Sequence, residues 1–211
     1  MSATSRRPVA LSMRVTEAPN YDEARDSISH DWVELLQRWD MDPHPIPNGL
    51  GDTAGYLEAI APNLIILTGG DDPGRGDRRD LTEKAVLKHA EANTIPVLGV
   101  CRGLQAINLY FGGDLGSVSG HISVEHAVHF TEKFSRFYGE ETSVNSFHAA
   151  SISANSLAPD LISAGIDHDG NVEAAYHNTL PIAGIMWHPE RPGAPVADRS
   201  LFDHLIDKGV F

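Results

Sequence analysis

The stretch Ile95–Gln105, IPVLGVCRGLQ, decides how the rest of the sequence is read. Pro96–Val100 is a short apolar run of buried-strand type that delivers Cys101, and a helical pattern starts at once over Arg102–Phe111, closed by Gly112 and Gly113. A strand that turns directly into a helix pushes the side chain at the turn out over the carboxyl edge of a sheet. Such a turn is crowded, and Gly99 and Gly103 are the small residues it needs. The helix N-terminus is expected to lower the thiol pKa, and the thiolate is the reactive form. An isolated cysteine is more often an inert core residue; the glycines and the strand–turn–helix context argue for a nucleophile.

Outward from this stretch, strand-like and helix-like segments alternate, the pattern of an α/β fold with a parallel sheet. Strands are expected over Val9–Met13, Leu64–Leu67, Leu161–Ala164, Val172–Tyr176 and Ile182–Met186, and an extended segment over Pro43–Pro47. Ile28, Trp32, Leu35, Leu36 and Trp39 recur at helical spacing, so Tyr21–Trp39 is expected to be one amphipathic helix. Further helices are expected over Asp52–Ile60, Leu81–Asn93 and Arg199–Lys208, with an Asp-, Gly- and Arg-rich loop from Asp71 to Asp80 and a β-like region from Asp114 to Ser151. No repeat, low-complexity tract or long linker divides the 211 residues, and residues 1–211 are expected to form a single domain.

Hydrophobic residues make up 41% of the chain, which argues against disorder. The net charge of -13 and the acidic pI of about 5.1 repel phosphate backbones and anionic lipid, so nucleic acid and membrane are expected to be poor partners. A local arginine cluster can still hold a small anion. The single cysteine excludes an internal disulfide and suits a reducing, cytoplasmic setting. The opening MSATSRRPVALSMRV has no apolar run of signal-peptide length, and Leu64–Leu67 is far too short to span a membrane. The composition leaves a homodimer open.

A second strand delivers a histidine at its carboxyl end, in Gly184–Glu190, GIMWHPE. A cysteine nucleophile needs an imidazole to take its proton and then to protonate the leaving amine; His188 is that candidate, with Glu190 to orient it across the stiff Pro189 turn. At the end of a third strand stands Thr68-Gly69-Gly70-Asp71, where the N–H of Gly70, with that of Arg102, is the candidate oxyanion hole. A Gly-Gly pair alone is as well explained by a tight turn.

Together, Gly99–Gln105 and Trp187–Glu190 resemble the class I glutamine amidotransferases, and more narrowly their γ-glutamyl hydrolase branch (peptidase C26), which includes γ-glutamyl-γ-aminobutyrate hydrolase. Leu67–Gly70, Arg79-Asp80 with Glu83, Val144–His148 and Asp169–Ala174 extend the resemblance over nearly the whole chain. It implies a flavodoxin-like three-layer sandwich with a mostly parallel central sheet. It also implies cysteine-dependent hydrolysis of a γ-glutamyl amide through a thioester, with no cofactor. By the same resemblance Gln105, Ser146, Phe147 and His148 bind the glutamyl end. The family often carries Gln two residues after the last of these; this chain has Ala150, which puts the usual leaving-group contacts in doubt.

The N-terminal stretch Met13–Val15 with Tyr21–Asp26 and Trp32 is similar to hydrolases of capsule phosphoramidate synthesis, which release glutamate from a CDP-linked γ-glutamyl amidate. This adds Arg14 and Tyr21 as substrate contacts. Arg14 follows the first strand, at the edge where such sheets bind ligands, and Arg75, Arg78 and Arg79 could meet a diphosphate, although each singly is as well explained as a solvated loop charge.

His121, His126 and His129 fall close together, but their spacing matches no metal motif. They are read as structural or substrate-side residues, with His126 as a substrate contact and no metal expected. Glu173, Trp32, Trp39 and Tyr56 are read as structural. Two activities share the same triad: a free-standing γ-glutamyl hydrolase, and a glutaminase subunit that passes ammonia to a separate synthetase. A non-catalytic binding module on the same fold is the third alternative.

Overall fold

The structure, a computed structural model, describes residues 6–211. Residues 1–5, where the leader reading begins, lie outside that range. In chain order the elements are β1 (Arg7–Ser12), β2 (Arg14–Glu17), β3 (Ala24–Ser27), α1 (His30–Arg38), β4 (Met41–Ile46), α2 (Thr53–Ile60), β5 (Leu64–Leu67), α3 (Arg78–Asn93), β6 (Val97–Val100), α4 (Arg102–Tyr110), β7 (Gly116–Ser117), β8 (Ile122–Phe130), α5 (Glu132–Tyr138), β9 (Glu141–Phe147), β10 (Ala150–Ser151), β11 (Leu161–Ile166), β12 (Val172–His177), β13 (Ile182–Ile185) and α6 (Asp198–Asp207).

The central sheet has the order β4-β1-β5-β6-β13-β12-β11-β8-β9. From β4 to β13 all neighbours are parallel; from β13 to β9 all are antiparallel. Strand side chains alternate between faces, and the sequence uses both. Val9, Leu11, Leu64 and Ile66 pack with Trp32, Leu36, Phe134 and Phe202 on the side of α1, α5 and α6. Ala10, Ile65 and Leu67 pack with Leu57, Val86, Leu87 and Ile107 on the side of α2, α3 and α4. This is the expected α/β sandwich. Pro43 and Pro45 sit in β4, which pairs only with β1, so as an edge strand it tolerates two missing donors.

Three expected elements differ. The helix expected over Tyr21–Trp39 begins only at His30; Ser29 caps it by accepting from the Asp31 N–H, and β2 and β3 form a hairpin before it, pairing Arg14 with Ser27 and Glu17 with Ala24. The apolar periodicity holds only from Ile28 onward, and the Asp26 carboxylate is committed to Asn48, accepting from its backbone N at 2.8 Å and its side-chain amide at 2.7 Å. The helix expected at Leu81 begins at Arg78, because Asp77 caps it by accepting from the Asp80 N–H at 2.9 Å. The β-like region contains α5, whose Phe134 and Tyr138 are buried in the core.

Candidate active site

Cys101 sits between β6 and α4 with φ +52° and ψ -105°, a conformation that costs a residue with a Cβ free energy. Neighbouring backbone holds it there: the Cys101 N–H donates to the Ile185 carbonyl of β13 at 2.7 Å. The turn is as crowded as the sequence suggested. A Cβ on Gly103 would lie 2.0 Å from the Leu67 carbonyl oxygen, and one on Gly99 would lie 2.5 Å from the Gly103 carbonyl carbon. Cys101 is thus held in a strained backbone conformation that tight packing over-determines.

His188 leaves the adjacent strand β13. Its Nδ1 lies 2.8 Å from Glu190 Oε1, both side chains are buried, and its Nε2 has no hydrogen-bond partner among the described residues. With Nδ1–H donating to the carboxylate, Nε2 carries the free lone pair of a general base. Gly69 backs the ring so closely that a Cβ there would lie 2.6 Å from His188 Cε1. The sequence did not single out Asn145 of β9 for a role. Its Oδ1 accepts from the His188 N–H at 2.8 Å, and its amide donates to the carbonyls of His188 at 2.9 Å and Pro192 at 3.1 Å. Position in the quoted Val144–His148 motif was the only signal for it.

Burial pushes the Cys101 thiol up to about 12. The Arg102 backbone N–H bond opposes this, and the charges of Glu190 and Glu173 add to it. The expected lowering by the helix N-terminus is therefore present but outweighed. The resting side chain is a thiol.

Beneath the Gly69-Gly70 turn, Arg79 donates to the carbonyls of Thr68 at 2.6 Å and Gly69 at 3.2 Å, and through Nε to Glu83 at 2.9 Å. Glu83 also pairs with Arg102 and accepts from Ser12 Oγ at 2.8 Å, while Arg102 reaches Asp80 at 2.6 Å. Arg79, Glu83 and Arg102 are all buried. In a trans peptide the N–H points opposite the carbonyl, so holding the Gly69 carbonyl fixes the direction of the Gly70 N–H. Arg79 is thus committed inside the protein and not available to a diphosphate. Arg75 is exposed and faces Asp72 at 3.8 Å, and the stem of Arg78 lies over Gly49.

A small cavity opens beside His188, lined by Arg14, Ser27, Ser29, Trp32, Glu190 and Arg191 among others. Arg14 therefore lines the cavity beside His188, which Cys101 does not line, joined by Arg191, whose guanidinium stacks 4.5 Å over Phe147 and which the sequence did not flag. Trp32, read as structural, also lines the cavity. Tyr21 does not: it sits on the turn at the far end of the β2–β3 hairpin, exposed and bonded to Arg25. Phe147 lies edge-on to His188 with centroids 5.6 Å apart. Gln105 is buried one turn into α4 and donates to the Ala150 carbonyl, and Ser146 donates to the His121 carbonyl at 2.8 Å. A larger cavity of about 360 Å3 lies between α3 and α4, lined by Leu81, Lys84, Leu87 and Leu109, and includes none of the residues around His188.

His148 and His126, expected as substrate contacts, stand outside the cavity beside His188. They meet His121 and Glu173 in one cluster whose ligand-type atoms all lie within 4.8 Å of one another. His129 stands apart, exposed and 3.1 Å from Glu141.

The family model of peptidase C26 matches residues 15–190. A γ-glutamyl-CDP-amidate hydrolase of Campylobacter jejuni is 31% identical over 191 residues, covering 87% of this chain and 90% of the relative. A glutamine-hydrolyzing GMP synthase subunit of Methanosarcina mazei is 31% identical over 156 residues, covering 72% of this chain and 75% of the relative. Among solved structures, a GMP synthase subunit protein from Thermoplasma acidophilum aligns with a TM-score of 0.71 at 23% identity, covering 95% of this chain and 92% of that one, which speaks for the fold. No helix among the described residues is long and apolar enough to cross a membrane.

Proposed function

On the premise that this chain belongs to the peptidase C26 family of class I glutamine amidotransferase-like hydrolases, we propose that it cleaves γ-glutamyl amides through a thioester on Cys101, with His188 and Glu190 completing the triad. The relatives support a hydrolase acting on γ-glutamyl amides. The observation that carries the mechanism is the buried His188–Glu190 pair, 2.8 Å apart, with a partnerless Nε2 one strand away from a strained cysteine elbow. His188 takes the Cys101 proton as the sulfur attacks the γ-carbonyl carbon. The oxyanion that forms is met by the N–H groups of Gly70 and Arg102. His188 then returns the proton to the departing amine, and the C–N bond breaks to leave the thioester. A water gives its proton to His188, attacks the thioester carbonyl and frees glutamate, and the proton returns to the thiol.

For the leaving group we favour a nucleotide amidate. Arg14 and Arg191 beside the cavity offer two cations to a diphosphate, and the Campylobacter jejuni relative is named for such a substrate. The similarity to a glutamine-hydrolyzing GMP synthase subunit favours a second reading, a glutaminase that depends on a partner synthetase. Glutamate release from γ-glutamyl-CDP amidate, γ-glutamyl-γ-aminobutyrate and glutamine, measured on the purified chain, separates them. The first reading expects rapid release from the nucleotide amidate. Slow turnover of every compound, rescued for glutamine by an added synthetase, would replace it with the second. Cleavage of other amides or esters with no γ-glutamyl compound cleaved would sink both.

A further inference from the structure

Past Ile166 the strand β11 ends, after pairing its last residues with Phe130 and His129 of β8. The rest of the β8–β9 ribbon, from Val128 back to Ile122, therefore has no neighbour from β11 in the sheet. Four side chains stand across this gap: His121 just before β8, His126 within it, His148 just after β9, and Glu173 on β12. Glu173 is 1% exposed, and neither of its carboxylate oxygens has a hydrogen-bond partner. A buried carboxylate with both oxygens unsatisfied costs several kcal/mol unless a cation faces it. His126 Nε2 is likewise without a hydrogen-bond partner.

The other nitrogen of each histidine is already engaged. His148 Nδ1 is 3.0 Å from the Ala150 carbonyl and His126 Nδ1 is 3.2 Å from the Ala127 carbonyl. His121 Nε2 is 3.4 Å from Asp167, whose carboxylate Asn171 holds from its backbone N and its side-chain amide, each at 2.7 Å. Donors aimed at carbonyls and a carboxylate leave the inward nitrogens as lone pairs. This outer-shell arrangement is the one that orients histidine ligands on a metal. His121 Nδ1 and His148 Nε2 then face each other at 3.4 Å as two lone pairs, which repel unless something positive sits between them.

We propose that His121, His126, His148 and Glu173 form a tetrahedral site for a divalent cation of the zinc type. Bonds of about 2.0–2.2 Å from a central zinc put tetrahedral ligands about 3.3–3.6 Å apart. Around Glu173 Oε1 the inward atoms lie 3.4 Å apart for His121–His148, 3.6 Å for His148–Glu173 and 3.8 Å for His121–Glu173; His126 Nε2 lies 3.8 Å from the other carboxylate oxygen, Oε2, and the four ligand-type atoms all fall within 4.8 Å of one another. Imidazoles with one carboxylate select zinc over calcium or magnesium. All four positions come from the protein, so the ion is structural: it ties the free length of the β8–β9 ribbon to β12 where β11 does not reach. It also neutralises Glu173, whose charge acts against the Cys101 thiolate. The site does not rest on the proposed substrate, and its test reads metal rather than turnover.

Purified full-length chain, stripped with EDTA and desalted, is titrated with Zn2+ and separately with Co2+. About one ion per chain is expected, with the intense visible absorption of four-coordinate Co2+. Cys101→Ala should keep this spectrum, which excludes the thiolate as ligand. His126→Asn and Glu173→Gln should lose the four-coordinate bands. In the wild-type chain, where no substitution can upset folding, Zn2+ should raise Tm by several degrees and EDTA should reverse the rise. Six-coordinate Co2+ only, unchanged bands in both variants, or no Tm response at saturating Zn2+ would each overturn the proposal.

Discussion

The two halves of the sheet solve different problems. In the parallel half, the ends of β5, β6 and β13 carry Gly69, Cys101 and His188, and glycines remove side chains there, so that Gly69 backs the His188 ring and the Cys101 turn meets backbone with no spare volume. In the antiparallel half, β8, β9 and β12 bring polar side chains together and leave several of them unsatisfied. The first half places the proposed nucleophile and its proposed base through shape. The second presents groups that await something from outside. Asn145 joins them: it belongs to β9, and it holds the backbone of His188. The chemistry of the parallel half is therefore positioned partly from the antiparallel one.

The sharpest way to break this division is to remove the proposed nucleophile. Cys101→Ala should lower kcat/KM for γ-glutamyl amides by on the order of 10⁴-fold or more, with no glutamyl adduct in the intact mass spectrum. Retained turnover would move the chemistry elsewhere. Glu190→Gln should cost on the order of 10³-fold, chiefly in kcat, because the imidazolium formed during attack loses its charged partner and Nδ1 its obligate acceptor. Asn145→Ala tests the link between the halves. It should reduce kcat by roughly 10²-fold through a misplaced His188 and slow Cys101 alkylation by iodoacetamide in step, because the same base takes the thiol proton, while KM stays within about threefold. A KM that rises as far as kcat falls would show instead that β9 supports the whole site.

The smallest expected effect lies beneath His188. Burial lifts the Asp198 carboxyl to about 7, and hydrogen bonds from Trp187 Nε1 at 3.0 Å and Tyr138 OH at 2.9 Å partly offset the rise. A raised carboxyl means that the folded state holds the proton more tightly than the unfolded one. Stability from this group is therefore greatest at low pH and falls as pH climbs from the unfolded value near 3.8 toward 7. Asp198→Asn keeps an acceptor for both donors and carries no charge. Relative to the wild type, the variant should gain about 1 kcal/mol between pH 6 and pH 8 in denaturant titrations. A gap that does not change with pH would mean that Asp198 is ionised throughout.

Much of the parallel half was legible because its signals are local. Apolar runs of strand length, the glycines around Cys101 and the His188-Pro189-Glu190 turn each lie within a few residues of one another. The hairpin of β2 and β3 was hidden because its pairing competes with a helical periodicity that is real only from Ile28 onward. Arg79 looked like a loop charge because nothing within four residues, apart from Glu83, tells that Thr68 and Gly69 will present carbonyls to it. Glu173 read as an ordinary strand residue for the same reason, since its partners lie 25 to 52 positions away.

The sequence by itself determined the α/β class and the family, and it nominated Cys101, His188 and Glu190 for the proposed triad, because strand–turn–helix geometry and a two-residue His-to-Glu spacing are short-range properties of the chain. Only the tertiary structure decided the rest. It made the thiol a proton-bearing group, since burial is a property of the packed whole and outweighs the helix terminus. It committed Arg79 inward and brought Arg191 out beside Arg14, since an arginine's partner is set by which carbonyls and carboxylates fold against it. And it gathered His121, His126, His148 and Glu173 around one point, since a ligand set drawn from three strands has no spacing along the chain by which to be recognised.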